Sequence, residues 1–156
     1  MRTKVYFISL VVFLFLAGFR FAPDPAMITV AQKSEGTTLY TLKCNKTQKA
    51  DKSWSYQYFL EVTSDKNPKE NFSTNDEFIQ LTSFHLNTLF NVNVNGVESK
   101  MLGCRMEPSF QNFNIYRFVL FFENDDLKKI KKITLEFNDK LFENKLITLT
   151  NQNLKR

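Results

Sequence analysis

The single histidine limits the catalytic chemistry that this sequence can support. His85 is the only one in 156 residues, which excludes zinc sites built from several histidines and the H-E-x-x-H helix of metalloproteases. A Cys–His pair would need Cys44 or Cys104 to stay reduced. A Ser–His–Asp arrangement is open, but the sequence has no G-x-S-x-G turn. We therefore interpret His85 as an ordinary core or surface residue and predict no catalytic residue, metal or cofactor.

Carboxylates occur in two arrangements that could do chemistry. Three of them crowd into residues 123–126, where dense oxygen ligands could hold Ca²⁺, but the spacing matches no EF-hand and a solvated turn is the simpler interpretation. Glu61 or Glu107 beside Trp54 could supply the carboxylates of a small hydrolase. These residues are the basis for an enzymatic alternative, a small hydrolase.

Two cysteines, Cys44 and Cys104, are present. In an oxidising compartment a single pair most simply forms one disulfide. Such a bond would close a loop of about sixty residues and stabilise the fold by about 4 kcal/mol on the chain-entropy model. The alternative is two buried free thiols. The sequence favours the disulfide.

A lysine cluster near the end of the chain could form part of a partner surface. Its four members are Lys128, Lys129, Lys131 and Lys132. A compact positive patch could contact anionic lipid or polysaccharide. Lysines on an edge strand also block sheet-to-sheet pairing, which is the structural alternative.

Three aromatic residues, Phe110, Phe113 and Tyr116, lie close together after Pro108. If exposed, they would form an apolar contact patch for another protein. Core packing would account for the same residues. They complete the candidate partner surface.

The charge balance argues against nucleic acid as a partner. The net charge is +5, but three basic residues and one acid within the first 31 contribute +2 of it. A remaining charge of +3 is ordinary for a small soluble domain.

The first residues resemble an export signal in their pattern. A basic start at residues 1–4 precedes fifteen uncharged, mostly apolar residues, 5–19. As a helix this run would span about 22 Å, less than a bilayer core of about 30 Å, which is typical of a signal peptide. Small residues at Thr29 and Ala31 suggest cleavage before Gln32.

The alternative is an uncleaved anchor over residues 5–22, with Arg20 reaching toward the membrane interface. In both cases Lys4 favours an N-terminus inside the cell, so the rest of the chain is expected outside the cytoplasm. We thus predict a targeting segment or anchor with a short tether over residues 1–31, and one domain over 32–156.

Apolar alternation predicts most of the elements of that domain. The predicted strands are 39–44, 54–62, 90–94, 115–122, 133–137 and 146–150. Asn95-Gly96 predicts a hairpin turn, with 100–104 as the returning strand. The run 115–122 is apolar enough to be a central strand buried on both faces.

Three further segments lack clear strand alternation. Residues 20–37 look like a tether, and 127–130 could form one helical turn. Thr74 to Glu77 fits a capping box before a helix over about 75–86, but 78–82 also reads as a strand, which we favour because Thr and Phe are weak helix formers.

Short strands at this spacing predict a mainly β fold, an antiparallel β-sandwich after an N-terminal hydrophobic targeting helix, and an immunoglobulin-like architecture is one form that such a sandwich takes. The expected function is that of an exported, non-enzymatic domain that binds another envelope or extracellular protein. The alternatives are a small envelope enzyme or enzyme inhibitor, and a membrane-anchored subunit of an envelope complex.

Overall fold

Nine antiparallel strands make up most of the described residues in a computed structural model that covers 27–48, 50–52, 54–108, 114–123 and 130–152. The fold is mainly β, with two antiparallel sheets. The larger sheet has the spatial order β1 (Met27–Glu35), β2 (Thr38–Gln48), β3 (Trp54–Thr63), β7 (Ile115–Phe122) and β6 (Met101–Pro108). The smaller sheet has the order β5 (Val97–Ser99), β4 (Phe90–Val94), β8 (Lys132–Asp139) and β9 (Lys145–Gln152).

The two sheets share one aromatic core. The ring of Phe118 on β7 lies 5.8 Å from that of Phe90 and 5.7 Å from that of Phe137, both in the smaller sheet. The Phe90 and Phe137 rings stack at 4.7 Å. Aromatic contacts of this kind add to the free energy gained by removing the rings from water.

The apolar run 115–122 is the central strand that the sequence predicts. It forms β7, between β3 and β6. Phe118, Val119 and Leu120 are consecutive and all buried, so both faces of the strand are covered at this point. That is why residues 118–120 are apolar without interruption instead of alternating.

The Asn-Gly hairpin is confirmed. Asn95 and Gly96 both have positive φ, +54° and +87°, as a two-residue hairpin turn requires. The returning strand, however, is β5 and not 100–104. The latter residues enter β6, which pairs with β7 in the other sheet.

The preference for a strand over 78–82 was wrong. Helix α1 (Asn75–Gln80) begins after Thr74, whose side chain accepts a hydrogen bond from the backbone N–H of Glu77. A π turn (Leu81–His85) and a 3-10 turn (Leu86–Leu89) follow the helix directly. Another 3-10 turn precedes it, at Pro68–Asn71. The N-cap and the burial of Phe78 against the core outweigh weak helix propensity.

The described part of the predicted tether is a strand. Residues 27–35 form β1, which pairs with β2 and carries a bulge between Thr29 and Ala31. This edge strand has only one neighbour and is largely exposed, so its sequence lacks clear alternation. The suggested cut before Gln32 falls inside β1. The N-terminal hydrophobic segment, 5–22, and the predicted turn over 127–129 lie outside the described residues.

Candidate functional site

The predicted disulfide is wrong: Cys44 and Cys104 are free. They belong to one row that crosses the larger sheet, in which Cys44 pairs with Tyr58, Tyr58 with Leu120, and Leu120 with Cys104. The two cysteines are therefore three strand spacings apart, about 14 Å at about 4.8 Å per spacing. A disulfide needs Cα atoms within roughly 7 Å. Sequence spacing could not reveal that two strands separate them.

The candidate partner surface is described only in part. Tyr116 is half-buried, and its ring lies 4.9 Å from that of Phe142, so it contributes to packing. Lys131 and Lys132 are exposed, and their backbone N–H groups donate to Oδ1 of Asn95 at 2.8 and 3.1 Å. The positions of Phe110, Phe113, Lys128 and Lys129 lie outside the described residues.

Glu61 is held in ion pairs on the outer face of the larger sheet. Its Oε1 lies 2.5 Å from Lys43 Nζ and its Oε2 lies 3.2 Å from Arg117 Nη2. Burial acts to raise the pKa of this carboxyl, but the hydrogen bond and charge of Lys43, followed by those of Arg117, hold the pKa below 4.5. A carboxyl that stays ionised is a poor general acid at neutral pH.

The other residues that the hydrolase alternative needs do not form a common site with Glu61 either. Glu107 forms an ion pair with Arg105. It lies on β6 opposite Arg117 of β7, and Glu61 lies opposite the same arginine on β3, so strand β7 separates the two glutamates. Trp54 is seven residues before Glu61 on β3, which is about 23 Å along a strand. His85 is exposed on the π turn. Within the described ranges, no three His, Cys, Asp or Glu side chains are grouped so that they could hold a metal ion.

The most distinctive feature of the larger sheet is a cleft between two of its strands. β3 and β7 pair from Thr63–Ile115 to Tyr58–Leu120 and then part. Continuing the register would bring Gln57 opposite Phe121, but these residues are not paired with each other. β3 stays paired with β2 and β7 with β6. The sheet thus divides into two hairpins at this end.

The strands that flank the cleft explain why it opens. In β6 the register shifts at Leu102, between Met101 and Gly103, opposite the point where β7 leaves β3. Bulges increase local bending and twist. On the other side, the described pairing of β1 with β2 runs from Glu35–Thr38 to Met27–Asn45, and β2 pairs with β3 as far as Gln48–Trp54.

The cleft has a volume of about 430 Å³. The described residues of its walls carry aromatic, aliphatic, hydroxyl and amide side chains, and none of them is acidic or basic: Thr47, Ser55, Tyr56, Gln57, Tyr58, Leu102, Leu120, Phe121 and Phe122. Leu102 and Phe121 are unusually exposed for large apolar residues. An uncharged cavity with a few polar groups is suited to binding, not to proton transfer.

One buried polar group lines this cleft without satisfying its hydrogen bonds. The Tyr58 hydroxyl is buried beside Cys44, whose thiol is a weak hydrogen-bonding group, and it has no oxygen or nitrogen partner among the described residues. Burial, and then the neighbouring Cys44, raise the pKa of Tyr58, so the group remains a neutral hydroxyl. A buried hydroxyl without a partner is costly in free energy unless something else binds it.

Sequence reasoning did not find the cleft, because alternation over 54–62 predicts the strand but not where its neighbour parts from it. No protein-family model, curated protein or solved structure matches the chain. In the described ranges no helix has the length and apolar character needed to cross a membrane.

Proposed function

We propose that this protein is an exported, non-enzymatic domain that binds another envelope or extracellular protein. The observation that carries the proposal is the cleft between β3 and β7, because it joins apolar walls and exposed apolar rims with no acidic or basic side chain among its described lining residues. The carboxylates that could support an enzyme, Glu61 and Glu107, are instead engaged with basic side chains.

The proposed architecture is a β-sandwich formed by the two sheets. Ring contacts between Phe118 and the smaller sheet support it. Any likeness to immunoglobulin domains would lie in the two-layer layout, since here the first three strands stay in one sheet, whereas the third strand of an immunoglobulin domain belongs to the other.

The export part of the proposal depends on the sequence of residues 1–22. If a signal peptide is removed, we place the cut before Met27, because cleavage before Gln32 would remove half of β1. If residues 5–22 remain attached, the same domain would be the extracytoplasmic part of an anchored subunit. An intact mass from the native host distinguishes the two.

Site-specific crosslinking in living cells tests the binding function. A photoreactive amino acid at Phe121, on the cleft rim, is compared with the same group at Thr148, which is exposed on β9 of the other sheet. We expect a discrete crosslinked protein from position 121 and none from position 148. No crosslink from either position would contradict the proposal.

A further inference from the structure

Building on the proposed binding function, we infer that the cleft accepts an extended, uncharged segment of the partner polypeptide as an additional strand between β3 and β7. The inference concerns how the partner is bound, and it rests on three features of the described residues: the backbone groups at the cleft, the two faces of its lining, and its lack of charge.

The backbone is the first feature. Over residues 54–57, β3 has β2 as a neighbour on one side, and over 121–122, β7 has β6 on one side. Backbone N–H and C=O groups in an antiparallel strand point alternately to its two sides. Each wall of the cleft therefore presents backbone groups that no described strand across the cleft pairs with, and such groups are the usual template for strand addition.

The lining is the second feature. Tyr56, Tyr58 and Phe122 belong to the core-facing side of the sheet, whereas Gln57 and Phe121 belong to its outer side. The cleft is thus a gap in the plane of the sheet, and not a pit on one face. Side chains of a strand alternate between two faces, so an inserted strand would present every second side chain to the core-facing residues.

The third feature is the charge of the cleft lining, which determines the kind of segment that can bind. None of the described lining residues is acidic or basic, and the Lys46 ammonium lies over the Tyr56 ring at 5.8 Å, so a charged side chain entering the cleft would lose hydration without gaining an ion pair among those lining residues. The four residues 54–57 span about 13 Å of strand, which sets the length of the segment at roughly four residues.

The probe for the test is a hexapeptide of alternating threonine and valine, blocked at both ends and used at a concentration where it is monomeric. The control peptide has the same side chains but methylated backbone nitrogens, so it cannot donate backbone hydrogen bonds to a neighbouring strand. Hydrogen–deuterium exchange is followed over 54–58 and 120–123 in the protein as its host produces it, with 133–137 of β8 as the internal reference.

We expect the unmodified peptide to slow exchange over 54–58 and 120–123 by roughly tenfold or more, as a few hydrogen bonds of about 1 kcal/mol each imply. The methylated peptide should give no protection. Phe121→Lys should abolish the effect by placing a charge at the rim, while Leu146→Lys, at another exposed apolar residue, on β9, should leave it intact.

Three results would overturn the inference. Equal protection by the methylated peptide would mean that the cleft recognises side chains and not a strand. Exchange that slows with protein concentration alone would make a second copy the occupant. If neither peptide protects while position 121 still crosslinks to a partner, strand addition fails and the proposed binding function stands. If crosslinking fails as well, both fail.

Discussion

The hydroxyl of Tyr40, on β2 of the larger sheet, donates a hydrogen bond to Oδ2 of Asp139, the last residue of β8 in the smaller sheet. Both residues are fully buried. The Asp139 carboxylate also accepts the backbone N–H groups of Leu141, Phe142 and Glu143 at 2.8 to 2.9 Å. One buried side chain thus ties the two sheets together and shapes the turn between β8 and β9.

Tyr40→Phe should lower the free energy of unfolding by about 1.5–3 kcal/mol, the range for hydrogen bonds to charged groups. The matched control is Tyr58→Phe, which removes another buried hydroxyl but one without an oxygen or nitrogen partner among the described residues, so it should leave stability unchanged or slightly higher. Urea unfolding of the three proteins measures the difference. Equal losses in the two variants would show that the Tyr40–Asp139 bond contributes nothing specific.

Stability should fall in acid partly through Glu61. Its folded-state pKa lies below 4.5, because the hydrogen bond and charge of Lys43 and then Arg117 outweigh the effect of burial. A carboxyl with a depressed pKa contributes stability above its unfolded pKa, and this contribution is lost as pH falls through the folded pKa. Denaturant unfolding between pH 6 and 3 should therefore show a shallower loss for Glu61→Gln than for the parent.

The control for that measurement is Glu98→Gln, at an exposed carboxylate on β5. It should follow the parent curve. If both variants flatten the profile equally, the acid sensitivity is a property of overall charge and not of the ion pairs between Glu61, Lys43 and Arg117.

Both thiols should react only after unfolding. Burial raises the pKa of the Cys104 thiol to about 12 and also raises that of Cys44, so the reactive thiolate is scarce at neutral pH. Iodoacetamide added to the native protein should give little modification. Added in denaturant without any reductant, it should give two modifications by intact mass; unmodified cysteines under those conditions would mean that the thiols are bonded.

Much of the fold was predictable because the relevant signals are local. Alternation identified β2, β3, β8 and β9, and Asn95-Gly96 identified the hairpin. These signals work because strand side chains alternate between core and solvent. They were weakest where that condition fails, as in the mostly exposed edge strand β1.

The candidate site was not predictable, because it depends on which strands become neighbours. Cys44 and Cys104 lie in the same cross-strand row, but the number of strands between them follows from long-range pairing. The cleft likewise arises from a register shift at Leu102 on β6 acting on the neighbouring strand β7. Neither relationship leaves a signal within any one segment.

Two glycines with positive φ should differ in their tolerance of a side chain. Gly36 has φ +58°, and a Cβ there would lie 3.3 Å from Oε2 of Glu143. That carboxylate is held by the Thr38 hydroxyl at 2.6 Å and by Lys66 at 2.7 Å, so it cannot move freely. Gly96 has φ +87°, but a Cβ there would meet nothing within 4 Å.

Gly96→Ala should therefore lower the free energy of unfolding only through backbone strain, by about 1–2 kcal/mol for an alanine with positive φ. Gly36→Ala should cost about 1 kcal/mol more, because the new methyl group also displaces Glu143 from part of its hydrogen-bonding. Urea unfolding at neutral pH gives both values. In a background that carries Glu143→Ala, Gly36→Ala should lower the free energy of unfolding only as much as Gly96→Ala does, because the crowded carboxylate is gone. If the loss at Gly36 is unchanged in that background, the strain lies in the backbone alone.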